Sequence, residues 1–258
     1  MAFALITGAS GGIGLSMARE LASRKYDLLL VARSESKLNE IKAELEATYK
    51  VIVHVLSCDL SQPGAAADIL QWASPYGIHV LINNAGYGIW GNVEVNHSSE
   101  LQNMIQLNQV ALVELSKAFI PVLKKQQGKT YIMNVGSTAA YQAVPALAVY
   151  AASKAFVVSF TRALRWELKD SNISVSCFSP GATSTGFMDR AKMNDSLKEK
   201  AEKFTMTAEE VARIGIKGML AGKSEIIPGF VNWISAKMVC VVPKSFTESI
   251  AYKLYKTK

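Results

Sequence analysis

The chain has 258 residues, half of them apolar and 19% charged, with a net charge of +7 and a pI near 9.2. A chain of this length can bury a core without disulfide or metal staples, and this composition excludes disordered and collagen-like classes. The positive charge suits an anionic ligand, but no basic helical run interleaved with aromatics points to nucleic acid, and nucleic acid is not expected as a partner.

Short apolar runs at Phe3–Thr7, Asp27–Val31, Val51–Leu56, Ile78–Asn83, Lys129–Val135 and Ile173–Phe178 read as strands. Their near-continuous apolarity suits strands covered on both faces. Helical patterns lie between them, at Gly12–Arg24, Glu35–Ala47, Pro63–Ser74, Ser98–Gln127 and Val149–Asp170. This alternation predicts an α/β fold: a Rossmann-type, doubly wound parallel sheet of about seven strands flanked by helices. No repeat, linker or composition shift divides residues 1–258, so one domain is expected. The polar segment 183–205 after Pro180-Gly181 reads as a surface helix or a lid over a site, and its place after the last long strand favours the lid.

A C-terminal helical extension is expected over 229–258, where Phe230, Trp233, Ile234, Met238 and Val241 recur at helical spacing. It reads as a buried core helix, a subunit interface or a peripheral membrane contact, with Lys244, Lys253, Lys256 and Lys258 as a basic end. The apolar stretch 226–242 is broken by Pro228, Gly229, Asn232 and Lys237 and falls short of the roughly 20 residues of a spanning helix. With no secretory signal visible, a soluble, cytoplasmic protein is expected. Cys58, Cys177 and Cys240 show neither metal nor disulfide spacing and read as small hydrophobes in a reducing compartment. His54, His79 and His97 have no partner ligand at metal spacing, so no metal is expected.

Thr7-Gly8-Ala9-Ser10-Gly11-Gly12-Ile13-Gly14 follows the first strand and opens the first helix. Glycines there allow a tight turn and a close approach to a pyrophosphate, and the helix start offers unpaired N–H groups. The second strand ends Ala32-Arg33-Ser34, with arginine where an acid for ribose hydroxyls is usual. An arginine fork suits a 2′-phosphate, which predicts NADPH as the preferred cofactor with NAD possible.

Tyr150 and Lys154 lie one helical turn apart, and a lysine ammonium beside a phenol favours the phenolate. Tyr252 and Lys256 have the same spacing in a tail where nothing else points to a site, so the spacing alone says little. Tyr150 differs in its company. Ser137 just follows a strand, Asn83-Asn84-Ala85-Gly86 ends another, and Asn108 lies in the helix after it. In open α/β sheets those strand ends form the ligand edge. Tyr87, Trp90, Phe187 and Met188 either line a substrate pocket there or pack loops.

In these motifs the chain resembles the short-chain dehydrogenase/reductase family, in its single-domain branch, over nearly the whole length. Thr7-Gly8, Gly12 and Gly14, with Ser10 and Ile13 between, look like the family's cofactor loop. Asn84, Ala85 and Gly86 match its sheet-edge motif, Asp59 and Leu60 the segment that meets adenine, and Pro180, Gly181, Thr183 and Thr185 the nicotinamide-side loop. Asn108, Ser137, Tyr150 and Lys154 match the catalytic tetrad. The resemblance implies hydride transfer between NADPH and a carbonyl or secondary alcohol. Tyr150 would be the acid or base, with Lys154 tuning it and holding ribose hydroxyls. Ser137 would bond the carbonyl oxygen, and Asn108 would position a relay water. It further implies a homodimer or homotetramer paired through 98–127 and 149–170, and the tail resembles those of ketoacyl and steroid reductases. One departure is Gly11, which stands where some NADP-preferring members carry a basic residue, so selection rests on Arg33. The alternative is a non-catalytic NAD(P)-sensing protein on the same fold, against which the intact tetrad argues.

Overall fold

A computed structural model describes residues 2–191, 193, 205–239 and 242–255. Six long strands, β1 (Phe3–Thr7), β2 (Asp27–Ala32), β3 (Val53–Ser57), β4 (Ile78–Asn83), β5 (Thr130–Val135) and β6 (Ile173–Phe178), make a parallel sheet in the order β3-β2-β1-β4-β5-β6. A seventh, two-residue strand (Glu225–Ile226) extends the β6 edge against Cys177 and Phe178. The predicted sheet is therefore present, with ends differing by a residue or two. β3 starts later than expected because the Ile52 N–H is taken by Asp27 Oδ1 at 2.8 Å.

Alternate strand residues feed two apolar layers. Ala4, Ile6, Leu28, Leu30, Val80 and Ile82 pack against α1 (Gly12–Ser23), α2 (Glu35–Tyr49) and a later helix, Ala208–Leu220. Leu5, Leu29, Val31, Leu81, Ile132 and Val175 pack against α3 (Ala65–Ala73), α5 (Ala111–Lys124) and α6 (Ala148–Glu167). Both faces are buried, as the continuous apolarity of the strands requires.

The predicted helix 98–127 is not one α-helix. α4 (Ser98–Ile105) runs into a π-helical turn, Gln106–Val110, before α5 begins. Such turns concentrate at functional sites, and this one carries Asn108 inward to 1% exposure. Of the segment 183–205, Lys192 and 194–204 lie outside the described residues. Its ends are held together by a small parallel pair, Thr183–Ser184 against Met206–Thr207, followed on one side by a short α7 (Phe187–Arg190).

The C-terminal extension is helical but is not core. We label Ala208–Leu220 α8, Phe230–Met238 α9 and Lys244–Tyr255 α10. On α9, Phe230 is 74% exposed and Trp233, Ile234 and Met238 are also open to solvent, so the buried-helix reading fails. Helical periodicity shows that a face is apolar, not that anything covers it. Cys240, Val241, Lys256 and Lys258 lie outside the described residues.

The join of β1 to α1 leaves no room for a side chain at Gly14. A Cβ on Gly14 would run into the Gly8 carbonyl oxygen, with Asn84 Nδ2 only 2.5 Å away. Gly14→Ala should cost about 1–3 kcal/mol, a drop of several degrees in Tm. Gly186→Ala, where a Cβ meets nothing within 4 Å, should leave the melting curve nearly unchanged.

Candidate active site

The carboxyl ends of β1 to β6 open onto one cavity of about 1150 Å³. Its shape begins at Thr7. The Thr7 hydroxyl accepts the N–H groups of Asn84 (3.0 Å) and Ala85 (3.1 Å), while Asn84 Nδ2 donates back to the carbonyls of Thr7 (2.9 Å) and Gly8 (3.3 Å). This clamp fixes the glycine loop against the end of β4. Gly8 sits at φ +66 with Ala85 Cα 2.9 Å from where its Cβ would be, so no side chain fits. α1 starts without a side-chain cap. Gly12, Ile13 and Gly14 of its first turn line the cavity, a backbone N–H cradle of the kind that holds phosphate groups.

The cavity is lined by Gly8, Ser10, Gly12, Ile13 and Gly14 and, along the β2 and β3 ends, by Arg33, Ser34, Asp59 and Leu60. Asn84, Ala85, Gly86, Ser137, Tyr150 and Lys154 continue the wall to Pro180, Gly181, Thr183 and Thr185. Of the expected site residues only Asn108 stands behind the surface. Its Oδ1 accepts the Tyr87 N–H (3.1 Å), and its Nδ2 donates to the Tyr87 carbonyl (2.9 Å) and Ser153 Oγ (3.1 Å). It thus holds the Gly86–Tyr87 backbone beside Lys154, whose Nζ lies 3.4 Å from a Cβ position on Gly86.

Ser137, Tyr150 and Lys154 converge on one buried point. Ser137 caps the 3-10 turn Thr138–Tyr141, its Oγ accepting the Ala139 N–H at 3.1 Å. Lys154, 5% exposed, donates to the Val135 carbonyl at 2.8 Å, and its Nζ is 6.0 Å from the Tyr150 ring centre. Burial pushes the Tyr150 phenol up to about 12, against a smaller lowering from its bond with Ser137. Burial also pushes Lys154 down to about 8, partly opposed by the nearby Cys177. Desolvation, opposed by Ser137 and not by the lysine, sets the direction of the Tyr150 shift in this structure, in place of the lowering expected from Lys154. Tyr150 is held as a protonated acid and Lys154 close to its titration point.

Several lining residues carried no clear signal in the sequence. Lys37, one turn into α2, joins Arg33 at the cavity wall, and Arg190 of α7 stacks its guanidinium 4.5 Å over the Tyr87 ring. Burial and the neighbouring Arg33 hold the Arg190 pKa below its usual value. Asp59, bonded by the Ser61 N–H and hydroxyl, is held below the usual carboxylate range. Phe187 stands 5.4 Å from the Tyr150 ring. It packs with Leu147, Val144 and Met193 into an apolar cluster that includes Trp90 as loop packing. Behind Ser137, Glu225 takes bonds from Tyr141 (2.9 Å), Arg162 (2.6 Å) and Lys237 (2.5 Å). Burial would raise its carboxyl, but these three partners hold it low. Among the described residues no group of three or more His, Cys, Asp or Glu side chains could hold a metal ion.

Comparison with known proteins identifies the family. Residues 2–196 match the sequence model of a family described as short chain dehydrogenase. A very-long-chain 3-oxoacyl-CoA reductase of Kluyveromyces lactis is 36% identical over 182 residues, 67% of this chain; the match spans only 53% of that relative's length. A very-long-chain 3-oxoacyl-CoA reductase-A of Danio rerio is 30% identical over 93% of this chain and 76% of its own. A short-chain dehydrogenase from Sphingobium yanoikuyae, solved in complex with NADPH, superposes with a TM-score of 0.83 at 30% identity, covering 93% of this chain and 94% of that one.

The depressed Lys154 pKa makes a prediction for stability. In the unfolded chain this lysine titrates at its ordinary value of 10.5 and in the folded chain at about 8. Unfolding therefore takes up a proton between those pH values, and the Lys154 contribution to stability rises with pH across that window. Urea titrations at pH 8 and pH 10 should show the wild-type protein gaining on Lys154→Met at the higher pH. A constant difference would contradict the buried, depressed lysine.

Proposed function

The chain belongs to the short chain dehydrogenase family, and on that premise we propose that it is an NADPH-dependent oxidoreductase interconverting a carbonyl and a secondary alcohol. The observation that carries this reading is the buried convergence of Ser137, Tyr150 and Lys154 on the cavity that the glycine loop opens. The cavity fits a dinucleotide: a side-chain-free cradle at Gly8 and Gly14 lies at one point of its wall, and the acid sits at another.

Gly12, Ile13 and Gly14 would hold the pyrophosphate, Asp59 and Leu60 would flank the adenine, and Arg33, joined by Lys37, would take a 2′-phosphate. Ala85, Gly86, Pro180, Gly181, Thr183 and Thr185 would wall the nicotinamide half. When bound, the cofactor supplies the hydride. The chain supplies the proton and the orientation. Tyr150 donates its phenolic proton to the carbonyl oxygen, and Ser137 steadies that oxygen with a second hydrogen bond. Lys154, as an ammonium, favours the phenolate that remains, and a proton taken up from solvent restores the Tyr150 phenol for the next turnover. Asn108 positions the wall on which Lys154 rests; its amide is already bonded to the Tyr87 backbone and Ser153 Oγ, so the relay water expected from the resemblance would not bond its Nδ2.

The substrate end is apolar. Leu147, Phe187, Met188 and Met193 line it beyond Tyr150, with Asn103 and Asn232 as polar points. A ketone with a sizeable apolar body fits such walls, in line with relatives named as very-long-chain 3-oxoacyl-CoA reductases. Subunit pairing is proposed through 98–127 and 149–170; the exposure of Phe156 (42%) and Trp166 (73%), both on α6, supports the second of these. Among the described residues no helix is long and apolar enough to cross a membrane.

Tyr150→Phe should bind NADPH with unchanged affinity while kcat falls about 10²–10⁴-fold; turnover at the wild-type rate would remove Tyr150 from the mechanism. Arg33→Ala should raise KM for NADPH by about 10–100-fold, the worth of one charge-assisted phosphate contact. KM for NADH should stay the same, and steady-state kinetics with both cofactors separates the two effects.

A further inference from the structure

Among the described residues, the stretch 230–252 concentrates exposed large apolar side chains. On α9, Phe230 (74%), Val231 (63%), Trp233, Ile234 and Met238 all face solvent. On α10, Phe246 (61%), Ile250 and Tyr252 do the same. Soluble proteins rarely leave such a run of large apolar groups bare without an occupant. We propose that the exposed apolar sides of these two C-terminal helices dock on an anionic lipid surface, with α9 lying in the interface plane.

Charge selects this occupant. From Glu225 to the last residue the sequence has five lysines, Lys237, Lys244, Lys253, Lys256 and Lys258, and two acids, Glu225 and Glu248, of which Glu225 is taken by Lys237, so this stretch supplies +3 of the chain's +7. Aromatic and aliphatic groups mixed with lysines on short helices are the composition of interfacial segments, which insert their apolar side among acyl chains and set their cations against headgroups. A second copy of this chain fits less well. A two-fold pair would bring the same patch against itself, lysine facing lysine.

The fold also holds α9 in place for such a role. Its inward residues are Asn232, Ala236 and Val239, one turn apart. Asn232 lines the main cavity and bonds the Pro228 carbonyl at 2.8 Å, and its approach is possible only because Gly181 has no side chain, the Cβ position there being 2.5 Å from Asn232 Nδ2. With Ala236 and Val239 it lines a smaller cavity against Thr138, Val144 and Leu147, the segment between Ser137 and Tyr150. Lys237 ties the helix to Glu225. α9 thus has one side on the catalytic wall and the other side exposed. Docking there would hold the cavity next to the bilayer. That an apolar carbonyl substrate enters from the lipid rests on the oxidoreductase reading; the docking itself does not.

The test is flotation of the full chain with vesicles of phosphatidylcholine alone and of phosphatidylcholine with phosphatidylglycerol, at low and high salt, read without turnover. The protein should float with the anionic vesicles, weaken with salt, and bind neutral vesicles at least about ten-fold less. Phe230→Ser/Trp233→Ser and, separately, Lys244→Glu/Lys253→Glu should each weaken the anionic partition by about ten-fold or more, with unchanged melting curves. A wild-type chain that floats with neither vesicle overturns the proposal, as does binding that neither double variant reduces. A dimer in gel filtration that Phe230→Ser/Trp233→Ser splits, with no vesicle binding, would assign the face to a second copy instead.

Discussion

The site depends on how the ends of β1 and β4 are joined. The strand order β3-β2-β1-β4-β5-β6 reverses direction between those two strands, so their connections leave on opposite faces and a crevice opens at their carboxyl ends. Left alone, such a crevice would expose two strand ends and a helix start with unpaired backbone groups. Thr7 and Asn84 close the seam with reciprocal bonds, each using its side chain to satisfy the other's backbone. The glycine loop is then held at the one place where α1 can point its free N–H groups into the crevice. Most helices here start without a side-chain cap, but only the first turn of α1 carries Gly12, Ile13 and Gly14 into the wall of this cavity, where an anionic group would pair with its N–H groups.

The opposite wall sets the chemistry through burial. Tyr150 and Lys154 are 7% and 5% exposed, and desolvation moves their pKa values in opposite directions, to about 12 and about 8. Each shift disfavours the charged form, so the Tyr150 phenol stays neutral, while Lys154 is largely charged below about pH 8 and bears its desolvation cost there. A buried lysine with one carbonyl partner, Val135, is a poor contribution to stability but a well-placed donor for ligand hydroxyls. The polar residues behind it are similarly committed. Asn83 bonds Ser116 and Asn134, and Asn134 bonds Thr161, a buried chain that locks β4 and β5 to α5 and α6 and so fixes the distance between the two walls.

Much of this was legible in the sequence because it rests on local rules. Strand and helix alternation, the glycine spacing and the Tyr150–Lys154 turn each follow from periods of two and 3.6 residues or from the absence of a side chain. What escaped depended on tertiary placement. The π turn at Asn108 arises inside a run that reads as continuous helix. Arg190 reaches the cavity only because the paired ends at Thr183 and Met206 bring α7 back over Tyr87. The direction of the Tyr150 pKa shift depends on burial that spacing does not report. The apolar stripe of α9 was visible, but whether a neighbour covers Trp233 is decided by packing.

The central claim is that the cavity wall formed by Ser137, Tyr150 and Lys154 delivers a proton to a carbonyl while NADPH delivers the hydride. The most direct test is label transfer. The chain would be incubated with NADPH carrying deuterium at the transferable C4 position and an apolar ketone, and the alcohol analysed by mass spectrometry. The account predicts an alcohol one mass unit heavier, with the label on carbon. An alcohol without the label, or tight NADPH binding with no product across apolar ketones, would contradict it.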